Sequence, residues 1–377
     1  MDSVGVIGGR KNRCGIVLSI LVTLLQLKSM KLSIGIVGLP NVGKSTLFIA
    51  LTKKKVDASN YPFATIDPNI GIVAVADARL EKLNSVYKAE KVVPTVIEFV
   101  DIAGLVRGAH KGEGLGNKFL AHIREVDVIC QVVRDFSDPD VTHVSGQVDP
   151  NSDIETINTE LIFADLDTVK SRIGDIEPQA KSGDKELQKS LSVFKKVQKL
   201  LDQGKMLNLS GLSKEELAII YDAHLLTIKP MMYILNVDEQ EVTKQVPDRL
   251  VICAKVESEL SEVSSEEAGE YLRSLKLASS GLDRLISAAY DKLGLITFFT
   301  AGPKEVHAWA VERGSDAPQA GGRVHSDFEE KFIRAEVIGW QDVVKFGGEN
   351  GAKEKGKIRI EGKEYIVQDG DVIYFRI

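Results

Sequence analysis

The sequence predicts an α/β fold: a mainly parallel sheet covered by helices, interrupted by a helical hairpin and followed by a smaller β-rich module. Three observations carry this. Apolar runs at Leu32–Val37, Ile97–Val100 and Val126–Val133 alternate with segments of helical character, the pattern of strands buried on both faces of a parallel sheet. Between 150 and 205, apolar residues recur at helical spacing, first Ile154, Ile157 and Leu161, then Leu187, Leu191 and Phe194. From 295 onward the runs are short and β-like, with Glu361-Gly362 and Asp369-Gly370 as turn chemistry.

In chain order, residues 1–30 stand apart as an N-terminal extension. Arg10, Lys11 and Arg13 precede the apolar run Ile16–Leu25, which has the layout of a signal peptide but is too short to span a bilayer. Met30-Lys31 offers a second start just before the first strand. The reading is an over-extended gene start on a cytoplasmic protein with no membrane contact, with organelle targeting or secretion as alternatives.

Residues 31–150 form the first part of a nucleotide-binding domain. Gly38-Leu39-Pro40-Asn41-Val42-Gly43-Lys44-Ser45 lies between an apolar strand and the helical stretch Thr46–Leu51, which is the setting that the GxxxxGK[ST] pattern requires. Glycines at 38 and 43 let the backbone bend around a phosphate. Successive N–H groups from Asn41, Val42, Gly43, Lys44, Ser45 and Thr46, at the positive end of a helix, face the anion. Lys44 reaches toward the β- and γ-phosphates, and Ser45 is a candidate ligand of Mg²⁺. Asp101 ends a strand and opens an Asp-x-x-Gly sequence with Gly104. Asp101 is expected to hold Mg²⁺ through water and the Gly104 N–H to meet the γ-phosphate. Thr65, in the Pro-broken loop Asn60–Asn69, is the expected second hydroxyl ligand. The glycine-rich stretch 104–116 has few core anchors and is expected to be mobile, as a switch must be.

Residues 151–205 read as two amphipathic helices broken at Pro178 and Gly183, an inserted antiparallel hairpin. Residues 206–294 resume the sheet, with strands at Met231–Asn236 and Leu250–Lys255. Residues 295–377 are the β-rich module. At 377 residues, with 44% hydrophobic and 27% charged residues, the composition is that of a globular protein of several domains. A net charge of −6 argues against generic nucleic-acid binding. Cys14, Cys130 and Cys253 show no paired spacing and read as reduced thiols.

Two departures from familiar switch enzymes bear on chemistry. Where guanine readers carry Asn-Lys-x-Asp, this chain has Asn236-Val237-Asp238-Glu239. Asn236 can still bond the N7 edge common to both purines. The stacking lysine is replaced by Val237 and the guanine-selecting aspartate by the longer Glu239, which makes adenine plausible. After Asp-x-x-Gly, Ras-like enzymes place a Gln that orients the attacking water; here it is Leu105. Hydrolysis then needs another group or is slow, with His110 and His143 the nearest imidazoles. Asn41 is also a candidate ligand for a monovalent cation such as K⁺, standing in for an arginine finger.

The blocks GLPNVGKST (38–46), NYPFATIDPN (60–69), DIAGLVRGAHKGEGLGNKFLAHIRE (101–125), INTEL (157–161), FIRAEVI (332–338) and EGKEYIVQDGDVIYF (361–375) closely resemble the Obg-like ATPase (YchF) family from about residue 31 to the end. The resemblance implies a Ras-like P-loop domain, an inserted coiled-coil hairpin and a C-terminal TGS domain of β-grasp type. It further implies ATP preferred over GTP, Mg²⁺ dependence, slow intrinsic hydrolysis, and a monomer that associates with the ribosome, with rRNA among the contacts. Asn236 and Val237, the latter through its backbone, fall where family members contact adenine, and His143 matches the family histidine proposed to assist hydrolysis. An Obg-type GTPase and a non-hydrolytic, nucleotide-gated RNA or ribosome adaptor are the alternatives.

Overall fold

Two six-stranded sheets organise the described residues. The computed structural model describes residues 32–53, 69–102, 115–142 and 146–377. The elements run in order β1 Ser33–Val37, α1 Lys44–Lys53, β2 Ile70–Ala74, α2 Ala78–Tyr87, β3 Lys91–Val93, β4 Val96–Asp101, α3 Leu115–Glu125 and β5 Val128–Asp135. They continue with α4 Pro150–Ala180, α5 Lys185–Asp202, α6 Lys214–Ile220, β6 Met231–Val237, β7 Leu250–Ile252, α7 Ala254–Leu260, α8 Ser265–Ser274 and α9 Gly281–Lys292. The last group is β8 Leu295–Ala301, β9 Glu305–Glu312, α10 Ala317–Val324, α11 Ser326–Glu330, β10 Arg334–Gly339, α12 Trp340–Phe346, α13 Glu349–Glu354, β11 Arg359–Glu361 and β12 Asp371–Arg376.

The first sheet has the order β2-β4-β1-β5-β6-β7, parallel throughout except for the antiparallel pair β2/β4 at one edge. Its centre is apolar on both faces: β5 is buried at every position but its last. That burial explains why the strand reads as a continuous hydrophobic run and not as an alternation. The register sets Ile36 beside Asp101 and Asn236 beside Arg134 and Ile252. The loop after β1, Asp101 at the end of β4 and Asn236 near the end of β6 therefore gather at the carboxyl edge, where open α/β sheets bind ligands.

The hairpin is continuous with this core. Helix α4 is capped by Asp149, whose carboxylate accepts from the Asn151 and Ser152 N–H groups ahead of Pro150. Proline at a first helical position and an aspartate cap together define this start. The expected break at Pro178 does not occur there: the helix runs on to Ala180, so the proline costs one bond in the last turns without ending it. Asp184 caps α5. Ile157, Leu161 and Val169 of α4 pack with Val193, Phe194 and Val197 of α5 in the cluster that also holds Ile34, Phe99 and Val132 of the sheet.

The expected strand at 250–255 is shorter than the apolar run implied, because α7 begins at Ala254. The second sheet has the order β11-β10-β12-β8-β9-β3. It is not confined to residues 295–377: β3, from between β2 and β4, pairs in parallel with β9, and Leu80 and Leu83 of α2 share a buried cluster with Phe299, Val306, Ile338 and Val372. Residues 78–93, assigned from sequence to the first sheet's domain, therefore cover and extend the second sheet. The opposite face carries Phe298, Phe332, Val337 and Phe375, covered by Ala317 and Ala320 of α10. Four helices lie within the module that the sequence had suggested to be β-rich.

Candidate nucleotide-binding site

The carboxyl edge of the first sheet opens into a cleft of about 660 Å³ lined by Asn41, Gly43–Thr46, Phe136–Asp138, Val141, Asn236–Gln240 and Cys253–Lys255. On one side stands the loop between β1 and α1. Gly43 has φ +94°, a region that an L side chain rarely adopts, and a Cβ there would lie 2.2 Å from Nδ2 of Asn236. A Cβ at Gly38 would lie 2.5 Å from the Val132 carbonyl oxygen. Both glycines of the motif are required by close approach of neighbouring chain. Asn41 also takes a positive φ, 63°, which asparagine tolerates better than most residues. Ser45 and Thr46 are exposed on the first turn of α1.

Lys44 is only 8% exposed, and its Nζ donates to the Leu39 carbonyl at 2.7 Å, across the mouth of its own loop. Burial pushes its pKa down, with the charge of Asp101 acting in the opposite sense. Burial likewise raises the Asp101 carboxyl, and Lys44 counters it. Each group is thus partly desolvated and steadied by the other. Oδ1 of Asp101 is buried with no hydrogen-bond partner among the described residues. An orphaned carboxylate oxygen near a serine hydroxyl-bearing loop is a hard-oxygen donor set, and it fits Mg²⁺.

On the other side, Asn236 is a buried strut. Its Nδ2 donates to the Val42 carbonyl at 3.0 Å and its Oδ1 accepts from the Ala254 N–H at 2.9 Å. One side chain therefore joins the phosphate loop to the start of α7, and the amide's second hydrogen remains for an acceptor in the cleft. Val237 is buried, 1% exposed, and lines the cleft. Glu239 is drawn to Tyr271, whose hydroxyl lies 3.1 Å from Oε1 of Glu239 and 3.0 Å from Oε2 of Glu259. Asp238 accepts from the Ser137 N–H at 3.0 Å.

The glycine-bearing loop after β1 and the end of β6 thus line one hollow, with the Asp101 carboxylate acting on Lys44. Residues 33–168 match the MMR_HSR1 family model, a 50S ribosome-binding GTPase, and residues 295–377 match YchF-GTPase_C, a protein of unknown function (DUF933). The ribosome-binding ATPase YchF of Bacillus subtilis is 51% identical over 363 residues, covering 92% of this chain and 99% of the relative. The chain belongs to the YchF family. The ribosome-binding ATPase YchF of Haemophilus influenzae is 53% identical over 355 residues, covering 91% of this chain and 98% of that protein. A solved structure of the Schizosaccharomyces pombe YchF GTPase superposes with a TM-score of 0.80 at 35% identity, covering 92% of this chain and 98% of that one.

Within this YchF-family fold, Asn41, Val42, Gly43, Lys44, Ser45, Thr46, Asn236 and Val237 are brought together, with the charge of Asp101 acting on Lys44. Thr65, Gly104, Leu105, His110 and His143 lie outside the described residues. Sequence reasoning missed Arg134, Phe136 and the start of α7 at Cys253–Lys255. Arg134 did leave a signal, a lone cation closing the apolar run of β5. A second hollow of about 460 Å³ lies between α2, α9 and β8, lined by Arg79, Asp283, Tyr290 and Asp369. It has no glycine-rich phosphate loop and is set apart from this chemistry.

Proposed function

We propose that this chain is a slow ATPase switch that works on the ribosome: a cytoplasmic monomer that binds Mg²⁺-ATP in preference to GTP. The observation that carries the reading is the base side of the cleft. Asn236 keeps one N–H for purine N7, Val237 stands where guanine readers carry the stacking lysine, and the Glu239 carboxylate is held toward Tyr271. Position 239, where guanine readers carry the aspartate that meets the N1 and N2 donors, holds this glutamate, and Asp238 accepts from the Ser137 N–H. The names of the bacterial relatives support ATPase activity and ribosome binding as the broader role, and contacts to rRNA are part of the proposal.

In this mechanism the loop amides from Asn41 to Thr46 bind the β- and γ-phosphates, and Lys44 exchanges the Leu39 carbonyl for phosphate oxygen. Ser45 and Asp101, with Thr65, would hold Mg²⁺, which when bound neutralises charge on the phosphate oxygens. Gly104 supplies an N–H to the γ-phosphate. Water adds to the γ-phosphorus as the bond to the bridging oxygen breaks, giving ADP and phosphate. Leu105 cannot orient that water, so turnover is slow, and His143 is the proposed assisting group. Asn41 is the candidate K⁺ ligand.

Single-turnover hydrolysis of γ-labelled ATP, with Lys44→Ala beside the natural chain, tests this reading. The natural chain should release phosphate slowly and the variant should not, because removing a buried counter-charge costs about 2–5 kcal/mol of binding. Equal traces would assign the activity to a contaminant. Sedimentation with ribosomes should also depend on whether ATP or ADP is present.

A further inference from the structure

The loop after β5 forms one wall of the cleft, and its shape hangs on a residue not yet given a role. Arg134 is 3% exposed. Its Nη1 donates to the Val141 carbonyl at 2.8 Å, Nη2 to that of Asp138 at 3.0 Å and Nε to that of Phe136 at 3.2 Å. The guanidinium carbon lies 4.5 Å from the centre of the Phe136 ring. Among the described residues its hydrogen-bond partners are carbonyls and not carboxylates.

Stripping a guanidinium of water is costly, and an apolar side chain would fill the same strand position without that cost. What an apolar residue lacks is a rigid fork of N–H donors able to collect three converging carbonyls. Two further bonds fix the same loop from outside. The Ser137 N–H donates to Asp238 beside the base-reading strand end, and Nδ2 of Asn41 donates to the Thr142 carbonyl at 3.3 Å. Phe136, Ser137, Asp138 and Val141 thereby line the cleft beside Asn236–Gln240.

We propose that Arg134 is a positioning residue for the nucleoside: it sets residues 136–141 as the wall against base and ribose, and so governs nucleoside affinity without touching the ligand. This rests on the cleft being a nucleotide site, as argued above. The split between nucleoside and phosphate distinguishes it from a residue that merely keeps the protein folded, since a loosened fold would weaken every ligand of the cleft together.

Calorimetric titration of the full chain and of Arg134→Met and Arg134→Lys, each with Mg²⁺-ATP, Mg²⁺-GTP and Mg²⁺-tripolyphosphate, tests the assignment. Arg134→Met should weaken ATP by roughly tenfold or more and leave tripolyphosphate within about twofold. Arg134→Lys, which keeps a cation but not the fork, should fall between. Equal weakening of ATP and tripolyphosphate, or unchanged ATP affinity, overturns the proposal. If the methionine variant does not fold, the lysine variant carries the same comparison. Should the natural chain prefer GTP, the ATP reading fails on its own, and the same split read with GTP still decides the role of Arg134.

Discussion

Lys44 and Asp101 are each shifted by burial toward their neutral forms, and each is held charged in part by the other. A bound anion near Lys44 or a cation near Asp101 would offset these desolvations and favour the charged forms. The sign follows from the carboxyl. Its folded pKa stands above the ordinary 3.8, so the native state holds that proton more tightly than the unfolded chain. The ionised group therefore costs stability that grows as pH rises from about the unfolded value through the folded one, and that cost is absent below both. Asp101→Asn is expected to match or exceed the natural chain in ligand-free thermal stability at pH 7, with the difference closing as pH falls. It should also lose the stabilisation that saturating Mg²⁺-ATP gives the natural chain, about 2.7 kcal/mol at a hundredfold excess over Kd. Melting curves with and without ligand across pH decide it, and a ligand-induced shift kept by the variant would count against Asp101 as a metal holder. Lys44, Ser45, Asp101 and Asn236 were legible in the sequence because motif spacing encodes them. Their partners were not, since the Leu39 and Val42 carbonyls and the Ala254 N–H are main-chain atoms that any residue supplies and only the folded loop brings near.

At the scale of elements, the alternation of apolar runs with amphipathic stretches was enough to foresee the parallel sheet and the hairpin, because both depend on periodicity. Pro178 shows where that logic stops: a proline near a helix end removes one bond and need not terminate the helix. The strand β3 is less readable still. Three residues long, it pairs with β9 from a distant part of the chain, a contact no local pattern specifies. A buried carboxylate also ties the hairpin to the chain before β6. Asp165 accepts from the Leu226 N–H at 2.8 Å and from the N–H and hydroxyl of Thr227, both at 2.7 Å. Burial raises its pKa and these bonds oppose the rise. Asp165→Ala leaves buried donors unpaired and is expected to destabilise the chain by about 2–4 kcal/mol, read as a lower urea midpoint. A midpoint unchanged from the natural chain would show that α4 is held by apolar packing alone.

Across the whole molecule, the two sheets share a segment. The chain leaves the first sheet after β2, lays α2 and β3 on the second, and returns as β4 to deliver Asp101. Arg79 bonds Asp77 at 2.7 Å and Asp369 at 2.6 Å, and the hydroxyls of Tyr87 and Tyr374 lie 2.7 Å apart. The Thr95 hydroxyl donates to the Ala308 carbonyl at 2.9 Å. The carboxylate that faces the phosphate loop is thus at the end of a strand whose preceding turn is fastened to the C-terminal module. That arrangement would give the nucleotide-dependent movement proposed above a covalent and hydrogen-bonded route outward. All of it presupposes that the cleft selects adenine, and the most direct test is calorimetric competition between Mg²⁺-ATP and Mg²⁺-GTP on the natural chain and on a Val237→Lys, Glu239→Asp double variant. ATP should bind the natural chain more tightly, and the double variant should move the ratio toward GTP. A natural chain that binds GTP more tightly than ATP would contradict the account.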